Sequence, residues 1–201
     1  MGNRSKGEMK VVVPRGPTTD PFGFVCEWIS MPKYGHQYVV CPANTGRRCC
    51  FKGVELSVGP HWGGVLYTIS IIAFATLFFT HHIIVGLPVW YLAVTVVSSA
   101  VTVAFLLATA CTDPGIVRQS ADRRPGLRFC KECSIWKPEG ADHCDECGVC
   151  IQDLDHHCPW MGKCVGRGNM LWFKLFNATW ICLLLFVIAA AVLHEGKQDT
   201  L

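Results

Sequence analysis

The sequence predicts an α-helical multi-pass membrane protein that carries one small cysteine-rich domain held together by metal. Three observations predict it. Of 201 residues, 51% are hydrophobic and only 16% are charged, whereas a soluble globular domain carries about a quarter charged residues. The charge is also missing in blocks: no Lys, Arg, Asp or Glu occurs between Glu55 and Asp113, or between Lys174 and Glu195. Finally, the chain has 13 cysteines, and Cys130, Cys133, Cys144, Cys147, Cys150, Cys158 and Cys164 crowd into one short segment with His143, His156 and His157.

A bilayer crossing needs about 20 apolar residues, so the first uncharged block accommodates two helices and the second one. The first crossing reads GGVLYTISIIAFATLFFT (63–80) and is assigned to 61–82 with its flanks. HHIIVGLP follows as a tight connector, because Gly86 and Pro88 break a helix. His81 and His82 are read as loop residues. The second crossing, VWYLAVTVVSSAVTVAFLLATAC, is assigned to 88–111, and the third, LFNATWICLLLFVIAAAVL, to 171–193. Trp62, Trp90, Trp172 and Trp180 lie near the ends, where amphipathic rings favour the headgroup zone. No crossing shows a polar stripe to face water, which argues against buried helices of a soluble protein. Cys111 and Cys182 are read as packing residues within these helices.

Orientation follows the basic residues. Arg47, Arg48 and Lys52 precede the first crossing, Arg118, Arg123, Arg124 and Arg128 follow the second, and Arg167 and Lys174 flank the third. The hairpin connector has none, so residues 1–60 and 112–170 are expected in the cytosol and the tail, 194–201, on the far side. The polar N-terminus predicts no signal peptide. MGNRSK places Lys6 where a myristoylation signal wants Ser or Thr, so none is expected. Roughly the first 35 residues are Gly/Pro-rich and are expected to be disordered. Cys49 and Cys50, beside Arg47 and Arg48, are either acylation acceptors or idle thiols. Asn177-Ala178-Thr179 spells a glycosylation sequon, but at the cytosolic end of the third crossing it should go unused. The net charge of +3 understates these local contrasts, and no nucleic-acid partner is expected.

The cytosol is reducing, so a dense set of thiols there points to metal rather than disulfides. The spacing is Cys130-x2-Cys133, then His143-Cys144-x2-Cys147-x2-Cys150, then DLDHHCPWMGKC over 153–164. A C-x2-C knuckle lets two thiolates reach one ion from a tight turn, and zinc takes four such ligands in a tetrahedron. Pro138, Gly140, Gly148 and the charged residues between them cannot build a core, so metal must supply the folding energy. The fold expected for this segment is therefore a set of zinc-ribbon-like hairpins. Ten candidate ligands exceed the eight that two tetrahedra use. A spare Cys beside a spare His and an Asp makes an activated thiolate, since the imidazole takes the proton and the carboxylate orients the ring. Asp155, His156 or His157, and Cys158 supply those groups. Counting leaves open which ligands are spare, and whether all ten bind metal.

The stretch from Cys130 to Phe173, with its Cys and His spacings, Asp155-His156-His157-Cys158, Pro159-Trp160, Asn169 and Phe173, resembles the cysteine-rich domain of the DHHC-type protein S-acyltransferases, or palmitoyltransferases. Asp113-Pro114-Gly115 is similar to that family's DPG motif. The resemblance implies two structural zinc ions, one on Cys130, Cys133, His143 and Cys150, the other on Cys144, Cys147, His157 and Cys164. It makes Cys158 the nucleophile, His156 its base and Asp155 the orienting carboxylate. It further implies palmitoyl-CoA as acyl donor, cytosol-facing proteins with cysteine thiols as acceptors, the lipid bilayer as a partner, and residence in the Golgi, the ER or the plasma membrane. Arg123, Arg124, Arg128, Lys163 and Arg167 are then either contacts to CoA phosphates and anionic lipid or simply positive-inside charges.

Three departures stand out. The family commonly has Asn where this chain has Lys163, and Arg where it has Gly140; altered packing is expected rather than lost zinc. The family usually has four or more membrane helices and a TTxE tail motif, whereas this chain reaches Leu201 after three. An incomplete acyl-chain cavity is expected on that account. Two rival readings remain at this stage. A zinc-dependent membrane adaptor needs no free Cys158, and a RING-like ubiquitin ligase requires longer first and final loops.

Overall fold

The computed structural model describes residues 33–41, 56–82, 87–118 and 126–198. Three helices dominate it: α1 (Trp62–His82), α2 (Trp90–Cys111) and α3 (Met170–Gln198). All three are long and apolar enough to cross a membrane. At about 1.5 Å per residue, α1 alone spans about 30 Å, the thickness of the hydrocarbon layer. Most of the large apolar side chains on these helices, Phe74, Leu77, Val97 and Leu185 among them, point outward. That is the inside-out arrangement that lipid allows and water does not.

The packed side of α1 is narrow. Val65, Ile72 and Phe79 are buried at intervals of seven, one stripe along the helix. α2 buries Thr95, Ser99, Thr102, Leu106 and Thr109 at steps of four and three, all but Leu106 small and polar. Small side chains let helices approach closely where no hydrophobic force drives association. Their hydroxyls are satisfied within the helix, Thr95 Oγ1 to Tyr91 O at 2.8 Å and Thr109 Oγ1 to Phe105 O at 2.8 Å. Ser99 Oγ instead meets Thr76 Oγ1 of α1 at 2.7 Å. α2 thus carries a polar stripe that faces inward rather than toward water.

α1 runs further than the break signals suggest. His81 and His82 form its last turn rather than a loop, with the His82 ring on Phe78 (centroids 4.6 Å apart). The breakers Gly86 and Pro88 come later, and nothing at 81–82 opposes helix.

Nine short strands are found among the described residues. β1 (Lys33–Tyr34), β2 (Gln37–Cys41) and β3 (Leu56–Val58) form one antiparallel sheet that the sequence reading did not mark. Three hairpins follow: β4 (Arg128–Cys130) with β5 (Ile135–Lys137), β6 (Ala141–Cys144) with β7 (Val149–Gln152), and β8 (His156–Cys158) with β9 (Lys163–Val165). A single 3-10 turn, Pro159–Met161, joins the last two strands.

The hairpins sit where α1 and α3 begin and α2 ends. After α2, Asp113 Oδ1 accepts the N–H groups of Gly115 (2.7 Å) and Ile116 (2.9 Å), a turn that lays the chain onto β7. Val117 N then donates to Cys150 O, and Gln152 N to Gly115 O, both at 2.8 Å. Before α3, buried Asn169 donates to Thr109 O (3.2 Å) and Cys164 O (3.0 Å) and accepts from Gly166 N (2.9 Å). At α1, Gly64 lies so close to Pro159 that a Cβ would overlap the Pro159 carbonyl. The cysteine-rich domain is therefore clamped to the ends of all three helices by hydrogen bonds and close backbone approach.

Candidate metal centres and reactive thiol

Adjacent residues on a strand point to opposite faces, and this domain uses that twice. In β6, His143 pairs directly with Cys150 of β7, while Cys144 pairs with Val149. His143 and Cys150 thus share a face, where they meet Cys130 and Cys133 from the β4–β5 knuckle; Cys144 goes to the other side. In β8, His157 pairs with Cys164 of β9, and those two meet Cys144 and Cys147. The structure so brings together two groups of four, Cys130, Cys133, His143, Cys150 and Cys144, Cys147, His157, Cys164. Each group has its donor atoms within 4.8 Å of one another, an arrangement that could hold a metal ion.

The edge lengths test the fit. A tetrahedron with Zn–S about 2.3 Å and Zn–N about 2.0–2.1 Å has S···N edges of about 3.6 Å. His157 Nδ1 lies 3.6, 3.4 and 3.6 Å from the sulfurs of Cys144, Cys147 and Cys164. In the first group, His143 Nδ1 is 3.1 Å from Cys133 Sγ and 3.9 Å from Cys150 Sγ. Both groups could hold a metal ion, and the edges of the second lie nearer those of a zinc tetrahedron. Thiols this crowded cannot all ionise without a cation among them. The hydrogen bond from Cys164 holds the Cys147 thiol down at about 5, and the same contact drives Cys164 far above the ordinary thiol range. Burial, with Cys130 and Cys133 beside it, pushes Cys150 up as well. A divalent ion lifts that mutual penalty, because only thiolates ligate.

The other face of β8 carries His156 and Cys158. His156 Nδ1 is 2.7 Å from Asp155 Oδ2, and its ring stands edge-on to Phe173 of α3 (centroids 5.4 Å apart). Cys158 is 7% exposed and belongs to a buried cluster with Val65, Ile72, Leu106, Ala110 and Phe176, drawn from all three helices. It belongs to neither four-ligand group. Ile72 also lines a mainly apolar crevice between the helices, with Ala75, Ser99, Trp180, Leu183 and Val187 among the other walls. Ile72 is thus common to the buried cluster of Cys158 and to the lining of that crevice.

Lys163 requires a correction. The sequence offers it either as a contact to CoA phosphates and anionic lipid or as a positive-inside charge, both of which need an exposed ammonium, but its side chain is fully buried. It lies opposite Cys158 across β8–β9, and its Nζ donates to Ser57 O (2.7 Å) and Ser57 Oγ (2.8 Å) of β3. Burial pushes the ammonium down to about 7. Its four-carbon stem reaches β3 and so ties the β1–β3 sheet to β9. Arg128 and Arg167 are exposed, with Arg167 Nε 3.9 Å from Asp153 Oδ2. Arg123 and Arg124 lie outside the described residues, as do Cys49 and Cys50. Gly140 adopts φ +78, a region that favours glycine, and a Cβ would sit 2.6 Å from Asp153 Oδ1. The departure from Arg there fits its backbone.

Two residues next to the second group carried no sequence signal. His61, just ahead of α1, has Nδ1 3.0 Å from His157 Nε2, and Glu146 Oε2 lies 3.9 Å from His61 Nε2. His36 N donates to Cys147 O at 2.8 Å, holding the β1–β2 turn over the same knuckle. They lie about a hundred residues away in sequence, and no local motif announces them.

Residues 124–199 match the family model described as DHHC palmitoyltransferase. No curated protein matches the chain.

Proposed function

On the premise that the chain belongs to the DHHC palmitoyltransferase family, to which residues 124–199 match, we propose that it is a protein S-acyltransferase. It moves a palmitoyl group from palmitoyl-CoA to protein cysteine thiols through an acyl-enzyme on Cys158. One observation carries this reading. Cys158 falls outside both four-ligand groups and shares a strand face with His156, whose Nδ1 is 2.7 Å from Asp155. The roles divide accordingly. Zinc ions on the two groups are structural, supplying the folding energy that this small segment cannot draw from a core.

Asp155 accepts the Nδ1–H of His156 and so leaves Nε2 free to take a proton. His156 removes the Cys158 proton, and the thiolate attacks the thioester carbonyl; the C–S bond to CoA breaks, and His156 returns the proton to the departing CoA thiolate. In the second half, His156 takes the proton of the incoming protein thiol. That thiolate attacks the acyl-enzyme, and Cys158 leaves and regains its proton. The cluster around Cys158 suits this chemistry, since an acyl tail attached there enters the apolar crevice beyond Ile72. The CoA head must stay in water, which the membrane-end placement of the domain permits. The clustering of basic residues supports a cytosolic placement of the domain, and the family resemblance supports a Golgi, ER or plasma membrane.

The test is acyl-enzyme formation by the zinc-loaded chain with labelled palmitoyl-CoA in detergent or vesicles. Wild type should take up a hydroxylamine-labile label. Cys158→Ser should take up none and retain two zinc ions. His156→Ala should retain both ions and label about 10² to 10⁴ times more slowly. Equal labelling with Ser at 158 would support a zinc-dependent adaptor instead, and loss of an ion in that variant would make Cys158 a ligand. A protease site near Arg123 should be cut from the cytosolic side and a tag after Leu201 protected.

A further inference from the structure

The second metal group has an attachment outside the ligand set. A metal on His157 Nδ1 takes that nitrogen's lone pair, so the imidazole proton resides on Nε2. The atom 3.0 Å from that Nε2 is His61 Nδ1. With one N–H between them, His157 donates and His61 Nδ1 accepts. The rings stand at 80° with centroids 5.0 Å apart, an edge approach suited to such a bond. An accepting Nδ1 puts the His61 proton on its own Nε2, and the carboxylate of Glu146 faces that nitrogen at 3.9 Å. The three groups thus fit one consistent set of tautomers, from the metal nitrogen outward.

The His61 backbone is fixed at both ends. Its N–H donates to Gly162 O (3.1 Å) in the β8–β9 turn, and its carbonyl accepts from Gly64 N (3.0 Å) in the first turn of α1. The residue therefore ties α1 to the hairpin twice, once through the backbone and once through His157.

We infer that His61 is a positioning residue for the second metal centre: it accepts the Nε2–H of His157 and fixes that ring's tautomer and aim. This rests on the reading of two zinc centres. A metal-bound histidine usually donates its free N–H to a carboxylate, a backbone carbonyl or water, and loss of such a partner costs 10- to 100-fold in metal affinity. Here an imidazole supplied by the membrane helix's leading residue takes that place. The consequence reaches the thiol site, because His157 lies between His156 and Cys158 on one three-residue strand.

The test uses the purified full chain in detergent with both ions bound, following zinc transfer to a chromogenic chelator. In His61→Phe, one of the two ions should leave 10- to 100-fold faster while the other keeps its wild-type rate. His61→Asn, whose Oδ1 stands where Nδ1 stood, should bring the fast ion back to within about threefold of wild type. In a His157→Ala background, adding His61→Phe should leave the release of the remaining ion unchanged. With cobalt in place of zinc, the visible spectrum of one centre should shift in His61→Phe and return in His61→Asn. Unchanged release in His61→Phe refutes the role of His61 alone. Acceleration of both ions, unrescued by Asn, reduces His61 to general packing and refutes it too. A third ion in wild type that is lost in Glu146→Gln makes His61 a ligand and overturns the hydrogen-bond assignment. Fewer than two ions in wild type refutes the two-centre reading beneath it.

Discussion

The Lys163–Ser57 contact gives a stability effect that can be worked out from its geometry. The ammonium is fully buried and its two hydrogen bonds go to one residue, Ser57 O at 2.7 Å and Ser57 Oγ at 2.8 Å. A hydrogen bond to a charged group contributes about 1.5–3 kcal/mol, and removing one partner leaves the other to bear its desolvation. Ser57→Ala deletes one of the two acceptors, so it should cost about 2 kcal/mol. For a chain of this length that corresponds to a fall of about 4–8 °C in Tm. Lys163→Met removes the buried charge together with its desolvation, and should lie within about 1 kcal/mol of wild type. In that background Ser57→Ala has no ammonium to strand and should cost no more than about 0.5 kcal/mol, giving a coupling near 1.5 kcal/mol. The assay is thermal unfolding of the zinc-loaded chain in micelles about one pH unit below 7, where Lys163 is mostly an ammonium, followed by tryptophan fluorescence, for the wild type, both single variants and the double variant. Equal costs of Ser57→Ala in the two backgrounds would refute the argument, since the serine would then act on something other than the lysine.

Three further outcomes are expected. Gly64→Ala places a methyl group against the Pro159 carbonyl, a backbone atom with no rotamer to escape to, whereas Gly63 has open space around it; Gly64→Ala should lower Tm and zinc retention together, and Gly63→Ala should be neutral or stabilising by about 0.5–1 kcal/mol. Asn169→Ala strands three buried backbone partners and should cost about 3 kcal/mol or more in denaturant unfolding, with Asn169→Asp recovering only the bond to Gly166 N. Asp155→Asn should keep both zinc ions yet slow acyl-enzyme formation by about 10² or more, because the carboxylate that selects the His156 tautomer is gone; labelling at the wild-type rate would remove Asp155 from the mechanism.

The membrane class was legible because it depends on composition alone: two blocks without charge, long enough for three crossings, leave few alternatives. The inward polar stripe of α2 was present in the letters as well, Thr95, Ser99, Thr102 and Thr109 at helical spacing, but an amphipathic search looks for polarity that faces water. In a bilayer the sense is reversed, and hydroxyls that bond to their own helix can be buried at little cost. The candidate metal ligands were legible as residue types, because C-x2-C knuckles have a local geometry. The contacts of Lys163 and His61 were not. Their partners stand 106 and 96 residues away, and hydrogen bonds across that distance leave no periodicity. The β1–β3 sheet that carries Ser57 escaped for the related reason that strands of two, five and three residues are too short to show alternation.

Counting could not divide Asp155-His156-His157-Cys158 because the division is a property of the strand, not of the spacing. In a helix, side chains at i and i+1 diverge by about 100° and three in succession fan over one broad face. On a strand they alternate, so His157 can face the second group while His156 and Cys158 face the helices. The same alternation sends His143 and Cys144 of β6 to different groups. Such an arrangement depends wholly on register: a slip of one residue would exchange metal and thiol faces throughout. What fixes it is the turn. Pro159 opens the 3-10 turn, Gly162 N donates back to Pro159 O at 3.1 Å, and Gly162 O is held by His61 N at the start of α1. Pairing of His157 with Cys164 then follows, and with it a candidate metal pair on one side and a thiol opposite Lys163 on the other. The membrane helix is thus part of what keeps neighbouring residues at separate tasks.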